Sequence, residues 1–524
     1  MWKTHYDVII VGGGVVGCTL AHALSTIPRE KPLRIALLER SLAEPDRIVG
    51  ELLQPGGVDS MKKLGLEACF DGIDAVPVKG YCVVDNGKPV HIPYPDGHEG
   101  RSFHHGKFIM KLREAAKKAE GVEVIEATVT DLIEANFNKQ VIGVRATRKD
   151  GLTNGGEADK ESFFADLVVI ADGCFSNFRG AVMGDRLCKP VTKSHFVGLV
   201  LEDAVLPIPN HGTVVLVKDY GPVLLYRIGE RDTRLLVDVK APIPADLESH
   251  ISKNILPQLP SSVQNSVRVA LKKDRLRRMP NSFLPSVIQG SSMPVAKEGA
   301  FLVGDAWNMR HPLTGGGMTV AFNDVVILRD LLTHVKKLDD WRLVRAVLRK
   351  WHWQRKPVAS TVNILSVALY DLFGAEDEEL AVLRTGCFKY FERGGECIRG
   401  PVSLLSAICP SPVLLFNHFF SVALYSIWVM FTHPRTIQSR ADEKLKSIAP
   451  QFDEYPALFF KSLRVFWTAC VVFGPLLWSE IRWWSPDDAK ARRRAQVVGF
   501  GIPLLVAAVS MIALQSLDGR RFVE

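Results

Sequence analysis

One pattern near the start limits what this chain can fold into: Gly12-x-Gly14-x-x-Gly17 follows directly on an apolar run at residues 6–11. An Ala/Leu-rich stretch comes next, then a second apolar run at 34–39, so the first forty residues read strand, glycine turn, helix, strand. That is one βαβ unit. In such a unit the first glycine permits the tight turn, the second lets backbone approach a pyrophosphate, and the third lets helix and strand pack closely. Val15 and Val16 complete the turn, and the helix N-terminus behind it favours phosphate charge. Glu39 closes the second strand about twenty residues on, where a carboxylate accepts bonds from ribose hydroxyls. The pattern predicts a dinucleotide site without separating NAD from FAD, and only one copy occurs.

Two later segments decide for FAD. Residues 167–173 form an apolar strand ending in Asp172-Gly173, with Ser176 and Arg179 following. Residues 301–305 form another, ending in Gly304-Asp305 and leading through Gly315, Gly316, Gly317 and Met318 into a helix. Both resemble the Asp-Gly and Gly-Asp motifs of single-component flavoprotein monooxygenases. The resemblance implies that Asp305 bonds ribityl hydroxyls and that the glycine-rich helix start meets the flavin ring edge. The physics agrees, since three glycines bring bare backbone against a planar ring and a helix N-terminus stabilises negative charge on it.

With 524 residues and 47% hydrophobic composition the chain can bury two or three domains. A second, antiparallel sheet is expected where β-branched and aromatic residues alternate with polar ones, at 78–93 and 195–239. Between them a helix at 106–119 and strands at 122–129 and 167–170 return the chain to the first domain. The expected division is FAD domain at 1–77, 101–189 and 295–345, substrate domain at 78–100 and 190–294, and a helical membrane-associated part at 346–524. No formal charge lies between Arg399 and Arg435 or between Arg494 and Asp518, and a shorter apolar run spans 465–479. Runs of ~20 apolar residues suit a bilayer, with spanning or lying in one leaflet left open; the alternative is a buried helical pair, which Pro401, Pro410, Pro412, Pro475 and Pro503 support because they would break any simple spanning helix. Trp467, Trp478, Trp483 and Trp484 near Arg482 suit the headgroup zone.

The net charge of +8 is modest, and basic runs such as Lys272, Lys273, Arg275, Arg277 and Arg278 read as solvated faces, with no nucleic-acid partner implied. Nine scattered cysteines without a C-x-x-C pair suggest neither a disulfide framework nor a metal site. No apolar stretch of signal-peptide length precedes Asp7, so no secretory signal is expected.

Four blocks narrow the resemblance further: residues 39–57, 100–110, 171–176 and 304–322, the last containing Arg-His-Pro-Leu-Thr-Gly-Gly-Gly-Met, followed by 391–401. Together they resemble the squalene epoxidases (squalene monooxygenases) over nearly the whole chain, departing at the N-terminus, where no membrane segment precedes the first strand. The resemblance implies an α/β chain with a helical C-terminus: a Rossmann-type FAD domain like that of p-hydroxybenzoate hydroxylase, an inserted antiparallel-sheet substrate domain, and C-terminal membrane-associated helices. It implies epoxidation of squalene by O2 through a flavin C4a-hydroperoxide, giving (S)-2,3-oxidosqualene for sterol synthesis. NADPH serves indirectly, through NADPH-cytochrome P-450 reductase. The expected site is the endoplasmic reticulum membrane with the catalytic part facing the cytosol, lipid droplets being an alternative. Residue by residue, FAD contacts fall on Val15, Val16, Glu39, Arg40, Arg47, Leu52, Arg113, Val129, Asp305 and Met318. Tyr81, with Gln54 near it, and Tyr226 fall at the substrate pocket; by pattern alone either tyrosine better suits an ordinary half-buried strand position, and the resemblance reverses that preference.

An isolated alkene offers no acidic proton and no leaving group, so general-base machinery has nothing to act on and the cofactor must supply the chemistry. Tyr81 is therefore expected to orient rather than to donate a proton. Two other classes remain open: another flavoenzyme of this fold, such as an aromatic hydroxylase or prenyl-chain reductase, and a non-catalytic prenyl-binding escort protein.

Overall fold

The computed structural model describes residues 5–149, 153–154, 157–158, 160–184, 189–273, 275–289, 297–374, 377–438 and 445–481. Strand His5–Val11 leads into helix Val15–Ser25 and then strand Ile35–Glu39. His5–Val11 lies at the centre of a parallel set, with Ile35–Glu39 and then Val122–Glu134 on one side, and Lys160–Ile170 and then Ala300–Leu302 on the other. Val8, Ile9 and Ile10 are fully enclosed, as the central strand of a parallel sheet covered on both faces must be. Val11 is level with Leu38 and Ile170, and Ile170 with Leu302. The strands thus end along one edge, immediately before Gly12, Glu39, Asp172 and Asp305, where open parallel sheets bind ligands.

Val122–Glu134 and Lys160–Ile170 are longer than the expected strands at 122–129 and 167–170. Their outer halves both pair antiparallel with Val141–Arg148, which gives polar-facing residues a ladder that a short parallel strand would lack.

The second sheet has seven strands in the order Arg277–Phe283, Val191–Glu202, Asp232–Lys240, Val223–Arg227, Gly212–Val215, Gly80–Asp85, Lys88–Pro93. It corrects the all-antiparallel expectation at one place: Gly212–Val215 runs parallel to Gly80–Asp85. The two segments are more than a hundred residues apart, so no hairpin fixes their relative direction. It is also buried on both faces rather than half-buried. Tyr81, Val83, Val214, Leu224, Tyr226 and Leu236 share one apolar cluster. Cys82, Val84, Val215, Val223, Leu225 and Leu235 share another, which packs on helix Ser261–Lys273. The period of two along each strand separates the sets.

Helix Trp341–Phe373 joins both halves. Its first half (Trp341, Val344, Leu348, Trp351) completes the core of the parallel sheet and its last turns (Tyr370, Phe373) pack beneath the second sheet. The boundary expected between 345 and 346 therefore falls inside one continuous helix, because the same 33 residues serve two cores.

Two helices, Pro412–Thr432 and the one ending near Glu480, are long and apolar enough to cross a membrane. The expectation that prolines would break the apolar runs holds at one place, the interruption at 406–411 that contains Pro410, between helices Glu396–Leu405 and Pro412–Thr432, and fails elsewhere. Pro412 occupies the first turn, where no N–H is needed, and Pro475 sits inside Tyr455–Ile481. This last helix is tied to the body at both ends: Lys461 to Glu378 (3.0 Å), Arg464 to Glu379 (3.5 Å) and Lys356 to Glu480 (2.8 Å). Phe459, Phe460, Leu463, Trp467 and Val471 stand exposed along it, a stripe suited to an apolar phase. Pro503, Arg482, Trp483, Trp484 and the run between Arg494 and Asp518 lie outside the described residues.

Candidate functional site

A single cavity of about 680 Å³ runs from the ends of the parallel strands to the face of the second sheet that carries Tyr81. Gly12, Gly14, Val15, Val16, Glu39, Arg40, Arg47, Arg113, Val129, Asp172 and Asp305 line one end. Leu52, Gly315, Gly317 and Met318 lie along it, and Tyr81, Val214, Leu224, Tyr226 and Leu236 form the other end. Gly17, Gly316 and Gln54, though expected at the site, are not on its wall.

The glycines divide their work as the turn requires. Gly12 has φ +108°, and a Cβ there would meet the Ala171 carbonyl oxygen at 2.5 Å. A Cβ on Gly17 would come within 1.8 Å of the Gly12 oxygen, so Gly17 is needed for packing rather than for a ligand. At Gly14 and Gly317 a Cβ would meet nothing within 4 Å, which leaves room for a bound group beside bare backbone. Gly316 instead packs on helix Trp341–Phe373, its added Cβ 2.4 Å from Val362.

Glu39 accepts from the Gly13 N–H (2.6 Å) and the Ser41 N–H (3.2 Å). Arg113 fixes the same turn from below, its Nε donating to the Gly13 oxygen (3.0 Å) and Nη1 to the Ala43 oxygen (2.9 Å). Arg179 donates to the carbonyls of Ala306 (2.7 Å), Asp305 (3.0 Å) and Cys174 (3.1 Å), clamping the two aspartate-bearing strand ends together.

Whether FAD fits can be judged from what these groups lack. Helices Val15–Ser25 and Gly317–Leu332 both begin at the cavity with no side-chain cap and no acidic residue in the first turn. Trp341–Phe373, Glu378–Glu392 and Pro412–Thr432, which begin elsewhere, are capped by Asp340, Asp377 and Ser411, although Pro55–Lys63 and Glu396–Leu405 also start without a side-chain cap. Uncapped N–H groups facing an enclosed space are what a phosphate or an anionic ring edge satisfies. Asp172 uses Oδ2 on the Asn177 N–H (3.0 Å), while its buried Oδ1 has no partner among the described residues. Asp305 is open to the cavity yet deep in the protein; burial lifts its carboxyl above the usual range, against the pull of Arg310, Arg47 and Arg179. Two aspartates short of donors and two helix starts short of acceptors suit a group carrying hydroxyls and phosphates, and FAD carries both.

The second-sheet end is mainly apolar, and the hydroxyls of its tyrosines are bonded to protein partners. Tyr81 donates to the Thr314 carbonyl oxygen at 3.0 Å, and Gln54 Nε2 donates to that same oxygen at 2.8 Å. Tyr94 in turn donates to Gln54 Oε1 at 2.5 Å. Tyr81 and Gln54 are thus brought together, but through the backbone of the glycine-rich loop. Burial lifts the Tyr81 and Tyr94 phenols well above their ordinary range, so both stay neutral. Tyr226 reaches Glu51 Oε2 (3.4 Å), which is held by a bidentate Arg234 (2.7 and 2.7 Å).

Sequence reasoning missed Glu51, Arg234, Tyr94, Asn308 and Arg310. Arg234 had a signal, being a charge set in the apolar strand 232–240; the others had none.

The fold is that of FAD-dependent monooxygenases. The p-nitrophenol 4-monooxygenase of Pseudomonas putida superposes with a TM-score of 0.63 at 16% identity, over 77% of this chain and 99% of that one. A probable FAD-dependent monooxygenase of Pseudomonas aeruginosa does so with 0.58 at 20% identity, over 71% and 97%. A profile of the squalene epoxidases matches residues 164–442. The squalene epoxidase of Aspergillus fumigatus is 46% identical over 490 residues, 90% of this chain and 93% of that protein. The squalene monooxygenase of Mus musculus is 40% identical over 489 residues, 92% and 79% respectively. The chain belongs to the squalene epoxidase family.

Proposed function

We propose that this protein inserts one atom of O2 into the terminal double bond of squalene, giving (S)-2,3-oxidosqualene for sterol synthesis. The observation that carries the reading is the single cavity, with unsatisfied polar groups at one end and an apolar sheet face at the other. Gly12, Gly14, Val15, Val16, Glu39, Arg40, Arg47, Leu52, Arg113, Val129, Asp172, Asp305, Gly315, Gly317 and Met318 would hold FAD, Gly17 and Gly316 serving by close packing. Bound and reduced, that group supplies activated oxygen. The chain supplies position and dryness. Leu224, Val214 and Leu236 present a surface an alkene can lie against without desolvating polar groups. Tyr81 and Gln54 fix the Thr314 carbonyl, hence the loop between cofactor and alkene.

Electrons come from NADPH through NADPH-cytochrome P-450 reductase, and the exposed stripe from Phe459 to Val471 rests on the endoplasmic reticulum membrane, the catalytic part facing the cytosol. A C30 hydrocarbon is almost insoluble and is best received from lipid.

The test is product analysis by gas chromatography–mass spectrometry, with detergent-solubilised protein, FAD, a reductase, NADPH and squalene under 18O2. One labelled oxygen in 2,3-oxidosqualene is expected. A fully FAD-loaded protein with active reductase that yields no epoxide would overturn the reading; saturation of a double bond without O2 would point to a prenyl-chain reductase.

A further inference from the structure

Arg310 has no role in the site as described so far. It lines the cavity beside Asp305 and just ahead of the loop 312–318, and is only 9% exposed. Its Nη2 donates to the backbone oxygen and to the Oδ1 of Asn308, both at 3.0 Å, while Nε and Nη1 find no acceptor among the described residues. A buried guanidinium with unmade bonds is costly unless something else compensates it.

The nearby carboxylates do not. Asp324 is held by Arg355 through two bonds of 2.8 and 2.6 Å. Glu480 is paired with Lys356 (2.8 Å) and also accepts from Ser360 (2.8 Å) and Asn363 (2.9 Å). That leaves Asp305, which faces Arg310, Arg47 and Arg179 together. Asp305, with Asp172 beside Arg179, sets two carboxylates against three guanidiniums, which leaves this part of the cavity positive. Burial presses the Arg310 guanidinium down to about 10, which keeps it charged at neutral pH.

Its aim is fixed. The Asn308 amide oxygen accepts from Arg310, from Arg355 Nη2 (3.0 Å) and from Asn363 (3.4 Å), and the Asn308 amide donates to the Leu284 oxygen (2.9 Å). With every group on that amide used, the guanidinium has little freedom to turn away from the cavity.

We propose that Arg310 is a cofactor-facing cation that stabilises the negative charge acquired by reduced FAD, and that Asn308 is the positioning residue that aims it. The inference rests on the FAD reading above and deepens it. The charge arises when two electrons and one proton enter the bound flavin from its external donor, the reductase with NADPH; a fixed positive group nearby favours that state.

The test uses the full-length, FAD-loaded protein and variants Arg310→Gln, Arg310→Lys and Asn308→Ala. The readouts are the flavin midpoint potential, by dye-equilibrated reduction, and the affinity for sulfite, which adds to the oxidised ring and leaves it negative. Arg310→Gln is expected to shift the potential to more negative values and to weaken the sulfite adduct about tenfold. Arg310→Lys should stay near wild type in both readouts, and Asn308→Ala should fall between them. Wild-type values in Arg310→Gln overturn the proposal, as do equal shifts in the Gln and Lys variants. If Arg310→Gln does not retain FAD, Asn308→Ala decides: an unchanged potential there overturns it. Wild-type protein that binds no FAD would overturn the cofactor assignment itself, and this inference with it.

Discussion

The two ends of the cavity are built on opposite principles. At the strand-end side polar groups are left short of partners: Asp172 Oδ1, Arg310 Nε and Nη1, and two uncapped helix starts. At the second-sheet side the larger polar groups are spoken for, Tyr81 and Gln54 by Thr314 and Tyr226 and Arg234 by Glu51, and only the small hydroxyls of Thr213 and Thr314 lack a partner among the described residues. The contrast teaches where each ligand belongs. Unmade bonds around a cavity mark where a polar partner can be received, whereas a surface meant for hydrocarbon keeps its strongest polar groups satisfied beforehand.

The most severe way to break this comparison is at the polar end. Gly17→Ala puts a methyl within 1.8 Å of the Gly12 oxygen; the turn must open, and purified protein should be colourless while its far-ultraviolet circular dichroism stays near wild type. A yellow Gly17→Ala protein would show the turn to be more pliant than its geometry.

At the apolar end the hidden charges should matter through stability. Arg234→Met leaves Glu51 buried at 1% exposure without its counter-charge and should cost ~3–5 kcal/mol in denaturant unfolding, with most of it recovered in the Glu51→Gln/Arg234→Met pair. A double variant no better than the single would mean the pair acts through shape rather than charge.

Acid should act on the polar end. His105 lines the cavity and bonds the Gly50 oxygen (2.9 Å), and burial presses its imidazole down to about 4, helped by Arg47 and Arg113. A base whose folded value lies below its unfolded 6.5 is neutral in the native state. Stability from this group is full above pH 6.5 and lost as pH falls from there towards 4, by at most ~3 kcal/mol. His105→Gln should flatten that part of the stability profile; an unaltered slope would assign the acid sensitivity elsewhere.

The smallest effect sharpens the boundary between the ends. Tyr81→Phe removes one bond to the Thr314 carbonyl, worth ~1 kcal/mol, and should lower turnover about fivefold with FAD content unchanged. Full activity with the same product would remove Tyr81 from the positioning of the loop.

The βαβ unit, the turn and packing roles of Gly12 and Gly17 and the two aspartate-ended strands were legible because each is a local requirement: a tight turn, a close packing contact or an apolar run states its purpose within a few residues. The same locality explains why the long helices Pro412–Thr432 and Tyr455–Ile481 could be anticipated as apolar stretches, while the tolerance of Pro475 inside one of them could not. The parallel pairing of Gly212–Val215 with Gly80–Asp85 was illegible because strand direction across a long connection is decided by packing, not by either segment.

The polar partnerships were hidden for a related reason. Glu51 and Arg234 are 183 residues apart, and Gln54 and Thr314 are 260 apart; neither member of a pair carries a mark of the other. By itself the sequence determined the nucleotide-binding turn, the order of the strand ends and the apolar character of the C-terminus, because hydrophobic period and glycine placement act over short spans. Only the tertiary structure decided that Tyr81 bonds the glycine-rich loop at Thr314, that Gly316 packs on a distant helix, and that Arg310 is left facing Asp305. Burial and unmade hydrogen bonds are properties of neighbours in space.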